Sequence, residues 1–226
     1  MIPVALAAKP PDFDEKVREP GLRAIAERVG KVSPYPRKRG SKNVKVADDE
    51  KGIPPDKFPD YWTEILPEMR LLYKDRCAYT AMYIPLGVGT ASVDHILPKS
   101  HYWEHVYEWE NYALCCKRFN ELKGDSTLFV NPFKVGLNWF ALNILNMHIE
   151  RGDSAPDEQF ENIDTTLKAL NSIDFIMLRG DCVNHYYLGP EEGGFCLAYF
   201  EKRAPFLASE LRRQGANTLP SVVSLT

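Results

Sequence analysis

The chain has 226 residues, of which 44% are apolar, 26% charged and 12% aromatic, with a formal net charge of −3. That is long enough to bury a sizeable core and excludes disordered, fibrous and disulfide-scaffold classes, while the charge balance gives no general attraction to a polyanion. Five cysteines, odd in number and irregularly spaced, read as reduced thiols. No run approaches the roughly eighteen apolar residues of a membrane span, and residues 1–8 lack a basic leader and a cleavage pattern. The expectation is a soluble, cytoplasmic protein with no membrane partner.

Residues 1–59 hold nine of the seventeen prolines and read as an N-terminal arm. One short helix is expected over 22–29, bounded by Pro20-Gly21 and Gly30, with Leu22, Ile25, Ala26 and Val29 on one face. Next, Lys31, Arg37, Lys38, Arg39, Lys42 and Lys45 follow one another with no intervening acid. Pro34, Pro36 and Gly40 keep this run from forming a packed element, so it is either a solvated loop or an electrostatic contact for a nucleic-acid backbone. Asp60 is expected to cap a helix carrying Trp62, Ile65, Leu66, Met69 and Tyr73, bent or restarted at Pro67. Its apolar stripe reads as core.

The densest chemistry lies in residues 92–125. Two strands are expected over 93–96 and 112–115, then a helix over 116–123 stopped by Gly124. On that helix Lys117, Asn120 and Lys123 share one broad face, and Asn120 can reach back to the end of the first strand. There Asp94 and His95 are adjacent, so their side chains point to opposite sides and must do different work. A carboxylate and an amide carbonyl are hard oxygen ligands suited to Mg²⁺ or Mn²⁺, which suits Asp94 and Asn120. An imidazole titrating near neutrality can deprotonate a water, which suits His95.

The order Asp94-His95, then Asn111, then Asn120, followed by Lys123-Gly124-Asp125, resembles the HNH endonuclease family in its variant ending in Asn. The resemblance spans residues 75–132. It implies a ββα-metal unit in which His95 is the general base, Asp94 and Asn120 hold the metal, and Asn111 completes the catalytic set by pinning the loop between the strands. It also implies hydrolysis of a nucleic-acid phosphodiester, with DNA favoured, leaving 5′-phosphate and 3′-hydroxyl ends. Lys123 would lie near the phosphate backbone, with Lys99, Lys117, Arg118, Arg37, Lys38 and Arg39 as further substrate contacts. The chain departs from the family at the structural zinc. Thr80 and Phe119 stand three residues after Cys77 and Cys116, where second cysteines are usual, so no structural zinc of that kind is expected. A rival site from His101, His105, Cys115 and Cys116 ranks below solvated loop histidines, because adjacent cysteines on a strand diverge.

Beyond Asp125, two short strands are expected within 139–149, then helices over 159–170, 173–187 and 194–213, the last kinked at Pro205. Residues 219–226 read as a frayed tail. The segment 200–215 also resembles the ends of bacterial HNH proteins that accompany an ATPase in anti-phage defence, which implies an ATPase partner. The whole reads as an α+β protein, mostly helical, built around a ββα-metal unit: an arm over 1–59, a nuclease domain over 60–216 and a tail over 217–226. The alternative is a non-catalytic nucleic-acid-binding or assembly subunit on the same scaffold.

Overall fold

The structure, a computed structural model, describes residues 1–37, 40–87 and 90–216, so Lys38, Arg39 and the tail lie outside the described residues. The chain forms two compact units, one of Ala5–Asp75 with Pro85–Thr127, the other of Met1–Val4, Arg76–Ile84 and Leu128–Thr226. The expected boundary at residue 59 falls inside the first of them. The reason is apolar content: Phe13, Val17, Ala24, Ile25 and Val29 are all buried, and the Phe13 ring packs edge-on against Trp109 at 5.6 Å and Tyr112 at 5.8 Å. Residues 13–29 are core of this unit, not an arm over its surface.

The first helix also begins earlier than expected. A π-helical turn, Asp14–Arg18, runs without a break into α1, Glu19–Arg28, and Pro20, which has no N–H to donate to the preceding turn, follows directly on the π-helical stretch. Gly21 is required by close approach, since a Cβ there would lie 2.2 Å from the Tyr107 Cγ. After a 3₁₀ turn, Tyr61–Ile65, α2 spans Leu66–Leu72 and restarts at Pro67. Asp60 makes no side-chain cap; its carbonyl instead accepts the Thr63 N–H at 3.0 Å. Trp62, Ile65 and Met69 are buried, as a core stripe should be.

Strand β1, Ala91–His95, pairs antiparallel with β2, Tyr112–Cys116, in a register that sets His95 opposite Tyr112 and Asp94 opposite Ala113. Helix α3, Lys117–Lys123, follows without a break, anchored by the fully buried Phe119. Gly124 ends it at φ +55°, a conformation that favours glycine.

The other unit pairs β3, Phe140–Leu142, with β4, Ile149–Arg151, and adds α4, Phe160–Leu170, α5, Ile173–Leu188, α6, Leu197–Arg203, and α7, Pro205–Arg213. The expected kink at Pro205 is a full break, because the residue before a proline is driven out of the helical region and Ala204 lies at φ −143°. Buried Arg179 donates to the carbonyls of Met147 at 2.6 Å and Leu170 at 2.8 Å, and buried Glu210 accepts the Leu142 N–H at 2.8 Å. Among the described residues the fold is α+β, with helices predominating and two small antiparallel sheets. Among the described residues no helix is long and apolar enough to cross a membrane.

Candidate active site

Asp94 and His95 end β1 against the wall of a cavity of about 370 Å³, lined also by Trp62, Pro98, Lys99, Ser100, Asn120 and Asp125. The short β1–β2 pair brings the strand end and α3 together because α3 leaves β2 directly. Asn120 then reaches across to β1, its amide nitrogen donating to Ser92 Oγ at 3.2 Å and to the Val93 carbonyl at 3.3 Å. This turns its nitrogen to the strand and leaves the amide oxygen as the ligand-type atom.

His95 is held on one nitrogen. A carbonyl can only accept, so the 3.0 Å contact between His95 Nε2 and the Val106 oxygen makes Nε2 the protonated nitrogen and Nδ1 the acceptor. The Tyr112 hydroxyl donates to the same carbonyl at 2.7 Å. Trp62 packs edge-on to the imidazole at 4.7 Å, and Tyr112 does so at 5.2 Å. Burial pulls His95 down to about 3, the positive charges of Lys99 and Lys123 act in the same direction, and the Val106 bond acts against them. The ring is therefore neutral at physiological pH, and it titrates well below the near-neutral range expected from the sequence because it is desolvated.

Asn111 governs the loop between the strands. Its side-chain oxygen accepts the Leu97 N–H at 2.7 Å, while its nitrogen donates to the carbonyls of Leu97 at 3.1 Å and His105 at 2.9 Å. The loop so tied carries both Lys99, on the cavity wall, and Val106, which orients His95. Lys99 lies over the Trp62 ring, 4.3 Å from its centroid. Burial lowers its pKa, and Asp60 and Asp56 counter that.

Lys123 does not extend to solvent as a phosphate contact would. Its side chain is 2% exposed and its ammonium donates to Asp94 Oδ1 at 3.0 Å and to the His95 carbonyl at 2.7 Å. Lys117 and Arg118 are exposed, 3.9 and 4.0 Å from Glu121, and neither lines the cavity. Arg37 belongs to a different arrangement: it pairs with buried Glu27, which also accepts the backbone and side-chain N–H groups of Asn43 at 2.8 Å. The basic run is thus partly packed by ion pairing, with Lys31 on Glu50 at 2.5 Å and Lys45 on Asp48 at 2.7 Å. His101 and His105 are exposed whereas Cys115 is fully buried, so the rival two-cysteine, two-histidine set is not assembled.

The donor set fits a hard divalent cation. Asp94 and Asn120 both line the cavity, each carries an oxygen of the kind such an ion takes, and the carboxylate is paired with the Lys123 ammonium. Sequence reasoning missed Trp62, whose place in an apolar helical stripe is indistinguishable from core, and the backbone carbonyl of Val106. The chain was compared with family models, curated proteins and solved structures, and none of them matches it.

Proposed function

We propose that this protein is a metal-dependent endonuclease of the HNH type, hydrolysing phosphodiester bonds of nucleic acid, DNA in preference to RNA. The observation that carries this reading is the tautomer of His95. With Nε2 committed to the Val106 carbonyl, Nδ1 is the acceptor nitrogen of a neutral ring beside Asp94, Asn120 and Lys99. Binding alone has no use for such a base.

In this reading Nδ1 of His95 takes the proton of the attacking water, and the Val106 carbonyl stabilises the imidazolium so formed. Mg²⁺ or Mn²⁺, held by Asp94 and Asn120 when bound, supplies Lewis-acid charge stabilisation at the scissile phosphate. Lys99 binds a flanking phosphate from the cavity wall, and Asn111 keeps the loop that presents it in register. An anti-phage defence setting with an ATPase partner rests on the resemblance of residues 200–215 alone.

The test is cleavage of plasmid with Mg²⁺ or Mn²⁺, with and without an ATPase encoded beside it, paired with calorimetric metal titration. His95→Ala should abolish cleavage and leave metal affinity within about threefold, whereas Asp94→Ala and Asn120→Ala should weaken metal binding itself. Loss of metal in His95→Ala with retention in Asp94→Ala would reverse the assigned roles. A second reading, a non-catalytic nucleic-acid-binding subunit, is favoured by the ion pair of Lys123 with Asp94, which is also how a purely structural pair would look. DNA binding without cleavage under every condition would select it.

A further inference from the structure

The metal-binding carboxylate of this site is not alone. Asp94 is 1% exposed and Lys123 2%, their charged atoms are 3.0 Å apart, and the ammonium is fixed a second time by the His95 carbonyl at 2.7 Å. Phe119, fully buried on the same helix, fixes the backbone from which Lys123 reaches inward. A lysine so doubly held is not swung aside by an arriving ion without the loss of two charge-assisted hydrogen bonds between buried groups.

On the reading that Asp94 holds a divalent ion, we propose that Lys123 is a built-in counter-cation of the metal site: it aims the Asp94 carboxylate before metal arrives, and by its charge sets how tightly metal is held. Without the ammonium the carboxylate would lose its ion pair while still buried, a costly change. Metal and ammonium then share one carboxylate, and the repulsion between them, acting over a few ångström at low local dielectric, weakens the metal complex. Lys123 is in these terms a positioning residue. It acts on the reaction through Asp94, not on the phosphate.

Two consequences separate this from a merely structural pair. Lys123→Met, which removes the charge and keeps the length, should bind Mn²⁺ at least tenfold more tightly than the wild type in calorimetry. It should also gain more in melting temperature on Mn²⁺ addition than the wild type does, because no ammonium then competes with the ion for Asp94. Where Lys123→Met folds poorly without metal, Lys123→Gln, which can still donate to the His95 carbonyl, carries the same titration. The double variant Asp94→Asn/Lys123→Met should recover metal-free stability lost in Lys123→Met, since no charge is left buried. Wild type that binds Mn²⁺ while both Lys123 variants bind it equally or more weakly overturns the inference and leaves the nuclease reading intact. Wild type and Lys123 variants that all fail to bind Mn²⁺ overturn the nuclease reading, and the inference with it.

Discussion

Asn111→Ala tests the element on which the whole site depends. The substitution removes three hydrogen bonds from a residue that is 4% exposed. The Leu97 N–H loses its acceptor outright, at roughly 1–3 kcal/mol for an unsatisfied partly buried donor. The carbonyls of Leu97 and His105 each forfeit a net bond of about 0.5–1 kcal/mol, and carbonyl oxygens tolerate the loss better. The expected destabilisation is about 2–5 kcal/mol, which for a chain of this length lowers the melting temperature by roughly 4–20 °C if the unit unfolds cooperatively. Hydrogen exchange gives the sharper assay, because the Leu97 amide should lose protection selectively while the amides of β1 and β2 keep theirs. Because the same loop carries Val106 and Lys99, the proposed cleavage activity should fall even at temperatures where the variant is folded. Asn111→Asp, which keeps the acceptor for Leu97 but loses both donors, should fall between wild type and Asn111→Ala in Leu97 protection. A destabilisation below about 0.5 kcal/mol, with Leu97 protection unchanged, would show that the loop is held by its apolar contacts and refute the reasoning.

Lys99→Ala should flatten the slope of log affinity for duplex DNA against log salt by about 0.9, the value of a single phosphate contact, and leave metal affinity unchanged; an unaltered slope would remove Lys99 from the substrate contacts. Gly21→Ala should cost several kcal/mol, on the order of the largest overpacking effects, because its Cβ would fall 2.2 Å from the Tyr107 Cγ; a melting curve superimposable on wild type would show that Tyr107 can move away freely. Burial tends to raise the pKa of Glu27, but hydrogen bonds from Arg37 and Asn43 outweigh it and hold the carboxyl below its ordinary value. Its contribution is therefore present above pH 4.5 and lost as pH falls through the folded value, so acid denaturation of Glu27→Gln should show a shallower pH dependence there than wild type.

The strand, loop, strand and helix order of residues 91–123 was legible because each element is marked locally: short apolar runs in the strands, a helical pattern after Cys116, and a glycine whose positive φ ends it. Side-chain direction was less legible. Placing Lys117, Asn120 and Lys123 on one face overlooked that each step of three residues falls about 60° short of a full turn, so the two lysines stand about 120° apart. One reaches solvent and the other the interior. Three charges of the basic run, Lys31, Arg37 and Lys45, pair with Glu50, Glu27 and Asp48, and the first two pairings, made between segments, leave no period in a sequence. Trp62 was read correctly as buried, yet its burial is what shapes the cavity wall beneath Lys99 and beside His95.

Burial of charge is the feature that most separates this site from ordinary core. A lysine and an aspartate buried together contribute little net stability compared with apolar residues of the same volume, and they leave the protein vulnerable if either partner is lost. A desolvated imidazole costs stability in acid as well. Close-packed interiors have no need of a cavity of about 370 Å³ beside such groups. Were the arrangement structural only, apolar substitution of the pair, as in Asp94→Leu/Lys123→Met, would leave every property of the protein intact and even raise its stability. If the pair serves the site, the same double variant would be as stable or more so and yet lose metal binding, because the carboxylate has gone. Gain of stability with loss of metal binding is therefore the signature that the buried charges are maintained for chemistry, and it is measurable without knowing the substrate.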